Sequence, residues 1–379
     1  MSVPERIAMT KRNDWSSAST ILCIRLDTIG DVLMTTPAIR ALRAEGRRRI
    51  TLLTSPAGAA VAPLVPEIDE VLVYDAPWMK ATAPRDDSRP EFAMIERLRR
   101  GRFDAAVIFT VYSQNPLPAA LLCYLAGIPL RLAYCRENPY QLLTDWVPDP
   151  EPALLIRHEV RRQLDLVATI GCSVADEQLS LCVPEEAHAR VKALLAGLEV
   201  DPLRPWAVLH PGATASSRRY PPDHFAQAAR RLVLEEGLQI VLTGTETEHE
   251  LVESIRTMMA APSHSLAGRL NLAALAALIE QAPLLISNNT GPVHIAAAVG
   301  TPVVDIYALT NPQHTPWQVA SRVLFHDVPC KYCYKSVCPQ GHHDCLRLVP
   351  PDAVVDAARE LLRLSESPGV QAHQQEVLQ

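Results

Sequence analysis

The chain has 379 residues, 48% of them hydrophobic and 21% charged, with a formal net charge of −6. That length exceeds what a single core usually holds and predicts two domains, and the apolar–charged balance excludes extended disorder. The negative charge excludes a general nucleic-acid binder, because no global positive field attracts phosphate backbones; Arg47–Arg49 and Arg161–Arg162 read as solvated helix ends.

In chain order, residues 1–19 are polar, lack the apolar core of a secretory signal, and predict a flexible leader. No stretch approaches the ~20 apolar residues of a membrane helix. A cytoplasmic protein is expected, at most peripheral on the cytoplasmic face of the inner membrane. Thr20–Leu26 (TILCIRL) is a buried-strand run, and Asp31–Glu45 carries Val32, Leu33, Thr36, Ile39 and Leu42 at helical spacing. Ile50–Thr54, Val71–Tyr74 and Ala105–Phe109 predict further strands, and Pro77–Pro90 a loop. The pattern restarts with a strand at Trp206–His210, a helix over Pro222–Glu236 and a strand over Gln239–Thr243. Asn271–Gln281 then predicts a helix, Leu284–Ser287 a strand, Pro292–Val299 a helix, Pro302–Ile306 a strand and Pro351–Leu364 a closing helix.

This alternation predicts an α/β protein with parallel sheets flanked by helices. The proline-rich stretch Asp145–Pro152 reads as a link inside the first domain, and the boundary falls within 183–203. The expected parts are the leader 1–19, a domain over 20–190, a second over 191–350, and a closing helix and tail over 351–379. Two such domains normally leave a ligand cleft at the carboxyl ends of their strands.

Three segments that follow strands carry chemistry. In RLDTIGDVLMTTP, Gly30 permits a tight approach and Asp31 begins a helix, either complementing its dipole or serving as a functional carboxylate. In HPGATASSRRYP, small residues let backbone N–H groups approach phosphate oxygens and arginine supplies paired donors, although ordinary turns share this composition. In SNNTGPVHIAA, a strand ends in Asn-Asn and Pro292 opens a helix whose free N–H groups suit a pyrophosphate. His294 in its first turn reads equally as a packing residue or a ligand.

Together these segments resemble glycosyltransferase family 9, the ADP-heptose:lipopolysaccharide heptosyltransferases, over roughly residues 20 to 365. The resemblance rests on Gly30-Asp31-Val32, on Arg218 followed by Arg219-Tyr220-Pro221, and on Asn289-Thr290-Gly291 with His294. It implies a GT-B fold: two Rossmann-like domains with parallel sheets facing a central cleft, the first holding the acceptor and the second the nucleotide. It also implies that Asp31 is the general base and that Thr214 and Arg218 contact the donor phosphates, with Ser216 and Ser217 nearby. Thr290, Gly291 and the helix behind them would hold the pyrophosphate, with Asn289 and His294 beside it. Glu248 lies near the ribose position, with Glu246 and Glu250 as close alternatives. Many members carry Asp where this chain has Asn289, which caps the turn without adding charge and marks a subgroup.

The implied reaction is an inverting transfer of a heptose or related sugar from ADP-heptose to a lipopolysaccharide-core or other lipid-linked glycan. It needs no catalytic cofactor, since no DxD motif for Mg²⁺ or Mn²⁺ stands out and Arg218 and the Pro292 helix supply the positive potential. The alternatives are a different donor, a protein or polysaccharide acceptor, a sugar-nucleotide epimerase, and a non-catalytic nucleotide-sugar-binding protein. A dehydrogenase is disfavoured because no strand leads into GxGxxG.

Of the nine cysteines, Cys23, Cys123, Cys135, Cys172 and Cys182 sit in apolar surroundings and predict inert packing residues. Cys330, Cys333, Cys338 and Cys345 have the spacing CxxC-x4-C-x6-C, with His342 and His343 in the last interval. That spacing suits a structural tetrahedral zinc or iron site in a loop over 330–345, with disulfides and free thiols as competing readings.

Overall fold

The computed structural model describes residues 13–366 except 81 and 202, and the chain divides into two compact units between Glu177 and Gln178. The first unit contains β1 (Thr20–Arg25), β2 (Arg49–Thr54), β3 (Glu70–Val73), β4 (Ala105–Ile108), β5 (Leu130–Cys135) and β6 (Asp145–Pro148). They form one parallel sheet in the order β3-β2-β1-β4-β5-β6. The second unit contains β7 (Trp206–His210), β8 (Gln239–Leu242), β9 (His264–Ser265), β10 (Leu285–Asn288), β11 (Val303–Ile306) and β12 (Ser321–Leu324). Its parallel order, β12-β11-β10-β7-β8-β9, is the same topology read from the other edge. The expected α/β class with parallel sheets is therefore present twice. In each unit the order reverses beside the first strand, between β1 and β4 and between β7 and β10. A crevice opens there at the carboxyl ends, where sheets of this kind bind ligands.

The central strands are continuous apolar runs because helices cover both faces. Ile21 to Arg25 of β1 and all of β4, β7, β8, β10 and β11 are buried. The strands that escaped the sequence reading are those whose composition departs from this rule. β5 carries Arg131, whose guanidinium is satisfied by the carbonyls of Ile128, Gln141 and Leu142. β6 lies in the stretch expected to be a link; it is an edge strand ending in Pro148, where a missing N–H costs no ladder bond. β9 has two residues, and β12 is a half-buried edge.

Three further differences have physical causes. Residues 13–19 of the leader are anchored: Trp15 is buried, Arg48 donates to the Trp15 and Ala18 carbonyls, and Asp104 accepts from Ser19 and Thr20. The rest of the leader and the tail beyond 366 lie outside the described residues. Helix Glu185–Gly197 spans the expected boundary at 190 but packs on helix Leu272–Gln281, which makes it part of the second unit. Cys23, Cys123, Cys135 and Cys172 are buried as expected, whereas Cys182 is exposed in an extended segment and packs against no core.

Gly58, in the short helix Pro56–Ala59 behind β2, has no room for a side chain: a Cβ would stand 2.1 Å from Thr54 Oγ1 and 2.9 Å from Val32 Cγ2. Gly58→Ala is expected to cost about 1–3 kcal/mol, read as a lowered urea midpoint at unchanged slope.

Candidate functional site

In the first unit, β1 ends in Arg25, a guanidinium with no solvent exposure. Its Nη1 lies 2.6 Å from Glu159 Oε1, its Nη2 3.0 Å from Asp31 Oδ1, and its Nε 3.0 Å from Asp27 Oδ2, out of line for a hydrogen bond. Asp31 occupies the third position of helix Ile29–Ala44, within its first turn. From there its Oδ2 accepts from the Thr28 N–H at 3.0 Å and the Thr28 hydroxyl at 2.7 Å. Both the dipole-complementing and the functional readings of Asp31 are thus compatible with its place, since 12% of the side chain remains exposed.

Around this core the polar groups continue. Gln114, in the loop after β4, donates to Asp27 Oδ1 at 2.5 Å, and Gln163 donates to Glu159 Oε1 at 2.6 Å. Arg162, one turn beyond Glu159, forks onto Asp149 at 2.8 and 3.0 Å, reaches Glu151 at 2.5 Å and lies 4.5 Å above the Tyr134 ring. Burial pushes Glu159 above the usual carboxylate range against the pull of Arg25. Burial also raises Asp27, to about 6, with Arg25 opposing it and the Asp31 charge adding to it.

In the second unit, the loop after β7 and the turn after β10 converge. Asn288 Oδ1 accepts from the Tyr220 N–H at 3.0 Å and its Nδ2 donates to the Pro211 carbonyl at 2.7 Å, which ties the HPGATASSRRYP loop to β10. Asn289 turns the other way: its Nδ2 donates to Asp305 Oδ2 at 3.0 Å and to the His314 carbonyl at 2.9 Å. Thr290 is the N-cap of helix Gly291–Val299, yet its hydroxyl donates back to the Asn288 carbonyl and leaves the helix start uncapped by a side chain. His294 is buried in that helix, its ring 6.5 Å from that of His314.

The remaining expected residues divide. Arg218 is half-buried, its N–H donates to the Ala215 carbonyl while its guanidinium has no hydrogen-bond or ion-pair partner among the described residues, and Thr214 is exposed. The Ser217 hydroxyl donates to the Lys335 carbonyl at 2.7 Å and Ser216 to that of Ser336 at 3.3 Å, so both serines hold the cysteine-bearing loop against the loop after β7. Glu248 ends a short 3-10 turn, Glu246–Glu248, and accepts from the Thr245 N–H at 2.8 Å. Its carboxylate lies where a Cβ on Gly212 would be, at 2.2 Å, which explains glycine in that loop. Burial lowers the pKa of His210, and Glu248 pulls the other way; its Nδ1 lies 3.0 Å from Thr243 Oγ1.

Of the four cysteines expected to hold a metal at 330–345, Cys330, Cys333 and Cys338 all act electrostatically on Cys345, so the loop gathers them around it. Among the described residues no group of three or more His, Cys, Asp or Glu is placed to hold a metal ion. Cys330 Sγ lies 3.7 Å from His342 Nε2. Cys330 and Cys345 pack on the small apolar cluster of Tyr307, Leu309 and Val328, and burial pushes the Cys345 thiol up.

Sequence reasoning passed over Arg25, Asp27, Glu159, Asn288 and Asp305. Two had a visible signal: an arginine and an aspartate inside otherwise apolar strands, as in Val303–Ile306 (VVDI), must be paired or neutral. Asp305 is fully buried with Oδ1 unpartnered, and burial raises its pKa well above the carboxylate range despite Asn289 and the Arg218 charge.

Known proteins share this fold. Residues 91–343 match the family model for glycosyltransferase family 9 (heptosyltransferase). Lipopolysaccharide heptosyltransferase 2 of Escherichia coli K12 is 27% identical over 359 residues, covering 92% of this chain and 99% of that protein. The structure of E. coli ADP-heptose lipopolysaccharide heptosyltransferase II superposes with a TM-score of 0.70 at 25% identity, over 92% of this chain and all (100%) of the other. A glycosyltransferase family 9 structure from Veillonella parvula gives 0.74 at 22% identity, over 92% and 98% of the two chains, and bears on fold alone. The fold is GT-B, built from two Rossmann-like domains.

The Asn289–Asp305 contact needs a donor at 289 and an acceptor at 305. Asn289→Asp is expected to cost about 1–3 kcal/mol, because it sets a carboxylate against Asp305 and the His314 carbonyl. Adding Asp305→Asn restores a donor–acceptor pair, and a double-mutant cycle by urea unfolding should show the recovery. Asp305→Asn alone should match the parent near pH 4 and exceed it increasingly as pH rises. A raised folded-state pKa means that the parent loses stability from the unfolded value upward, and an amide has no proton to lose.

Proposed function

The chain belongs to glycosyltransferase family 9 and is a glycosyltransferase, and on that footing we propose that it moves a heptose or related sugar from ADP-heptose, with inversion, to a lipopolysaccharide-core acceptor. The observation that carries this reading is Arg218. An unpartnered guanidinium in the loop after β7 acts electrostatically on Asp305, the partner of Asn289, and Asn289 leads into the uncapped helix start at Gly291. A cation and free N–H groups held without a counter-anion suit a diphosphate. The name of the E. coli relative, an ADP-heptose lipopolysaccharide heptosyltransferase, supports the choice of donor and acceptor.

In this mechanism Asp31 takes the proton of the acceptor hydroxyl while its oxygen bonds to the anomeric carbon. The bond to the diphosphate breaks and its electron pair leaves on the diphosphate, where Arg218 and the Gly291–Val299 helix start stabilise the charge without a metal. Thr214, Thr290, Gly291 and His294 belong to the same donor region, and Glu248 takes the ribose. Ser216 and Ser217 act here as supports for the loop. A lipid-linked acceptor puts the reaction at the cytoplasmic face of the inner membrane, reached peripherally; no helix among the described residues is long and apolar enough to cross a membrane.

Calorimetric titration with ADP, UDP and GDP, each with and without Mg²⁺, tests the donor. ADP should bind preferentially and independently of Mg²⁺, and Arg218→Ala should weaken it by about 10–100-fold. Asp31→Asn should keep that affinity and lose about 10²–10⁴-fold in turnover, followed as ADP release from ADP-heptose with heptose-deficient lipopolysaccharide. Preference for UDP or GDP would retire ADP-heptose as donor, and no binding at all would retire the donor site.

A further inference from the structure

Asp31 shares its arginine. Nε and Nη2 lie along one edge of a guanidinium, and in Arg25 they face Asp27 and Asp31 at 3.0 Å each. The two carboxylates are therefore neighbours, and each keeps 12% of its side chain exposed. Glu159 takes the other edge through Nη1 and has no exposure. Of the three acids on Arg25, the two that meet solvent are thus the adjacent pair. Gln114 fixes Asp27 from the loop after β4, and Thr28 fixes Asp31 from the helix start. One positive charge faces three acids, so Arg25 does not neutralise both members of the pair.

We propose that Asp27 and Asp31 act as a carboxylate pair on Arg25, with Asp31 taking the acceptor proton and Asp27 as the positioning residue whose charge favours it there. The proposal rests on the reading of Asp31 as base. Two anions on one guanidinium edge repel, and a proton arriving on either relieves the repulsion. Arg25 and Thr28 alone would hold Asp31 ionised and make it a weak base; the neighbouring charge offsets them. The step balances as before: the proton moves from the acceptor hydroxyl to Asp31, the new C–O bond forms, the diphosphate leaves with the electron pair, and Asp31 returns its proton to water. Asp27 ends the cycle as it began. The groups facing Asp27 are Arg25, Asp31, Gln114 and Glu159, with Arg162 and Gln163 behind Glu159. Gln114 donates to Asp27 Oδ1 at 2.5 Å, a bond that favours the ionised carboxylate and so the push it exerts on Asp31.

The test is the pH profile of kcat/KM for Asp27→Asn, Asp27→Glu and Asp31→Asn, with ADP-heptose and heptose-deficient lipopolysaccharide, beside ADP affinity by calorimetry. Losing the Asp27 charge makes Asp31 release its proton at lower pH. Asp27→Asn should therefore move the acid limb down by about one pH unit and lower kcat by about 3–30-fold, with ADP affinity unchanged. Asp27→Glu, which restores the charge, should bring the limb back toward the parent. An unshifted limb and undiminished kcat in Asp27→Asn, with Asp31→Asn inactive, overturns the pair and leaves Asp31 as base. Turnover retained in Asp31→Asn overturns the base itself and the pair with it. Should Asp27→Asn lose its thermal transition, Asp27→Ser is read in its place, with the same outcomes deciding.

Discussion

A guanidinium out of contact with water cannot shed its charge, and burying it costs several kcal/mol unless partners meet it. Arg25 sets that requirement at the end of the strand from which the first sheet is ordered, and the surrounding chain is arranged to satisfy it. Asp31 fixes the first turn of helix Ile29–Ala44 by reaching Arg25 with one oxygen and Thr28 with the other. Glu159 fixes the start of helix Glu159–Ala168, and Gln163 one turn on steadies Glu159 while donating to the Thr110 carbonyl. Asp27 brings in the loop after β4 through Gln114. Arg162 repeats the device with Asp149 and Glu151, and this places the edge strand β6. The mouth of the first sheet is held by charge where its interior is held by apolar burial.

The second unit meets the same topological position with amides. Asn288 and Asn289, adjacent in sequence, point to opposite sides of β10, and between them join the loop after β7, strand β11 and the segment around His314. Neutral donors can do this without leaving a fixed negative charge, and the acid nearby, Asp305, is driven toward its neutral form by burial. That explains the departure at position 289. An aspartate there would meet the His314 carbonyl, which offers only an acceptor, and would set a second acid beside Asp305. Asp305 on the adjacent strand and the amide at 289 are a matched pair.

The sequence disclosed those parts of the molecule whose local pattern and tertiary role coincide. Fully buried strands such as Trp206–His210 and capped helices such as Pro222–Glu236 have the same bounds in the structure, since burial on both faces leaves no polar position to interrupt the run. β5, β6 and β12 were illegible because edges and internally satisfied arginines break the apolar pattern. Of the site, the segments were legible and the contacts were not. Gly212 was visible as a glycine, but that Glu248 fills the space of its missing Cβ depends on a helix starting more than thirty residues later. The resemblance set Ser216 and Ser217 near the donor phosphates, but that their hydroxyls reach the distant carbonyls of Ser336 and Lys335 was not legible. The cysteine spacing was legible, but that Cys330 and Cys345 also pack on the apolar cluster of Tyr307, Leu309 and Val328 was not.

Both units have one strand order and one kind of crevice, so topology does not distinguish their ligands. The distinction lies in the loops and helix starts at the carboxyl ends of the first and fourth strands of each. After β1 and β4 come Asp27, Asp31 and Gln114, acids and an amide arranged around a captive cation. After β7 and β10 come Gly212, Arg218, Asn289 and an uncapped helix start, a setting rich in donors whose acid is driven toward its neutral form by burial. By charge alone the first setting disfavours an anion and the second favours one. Under the proposed reading, that opposition gives the base to the first unit and the leaving group to the second. The residues that create the opposition are few in each unit, and the remaining residues hold them in place.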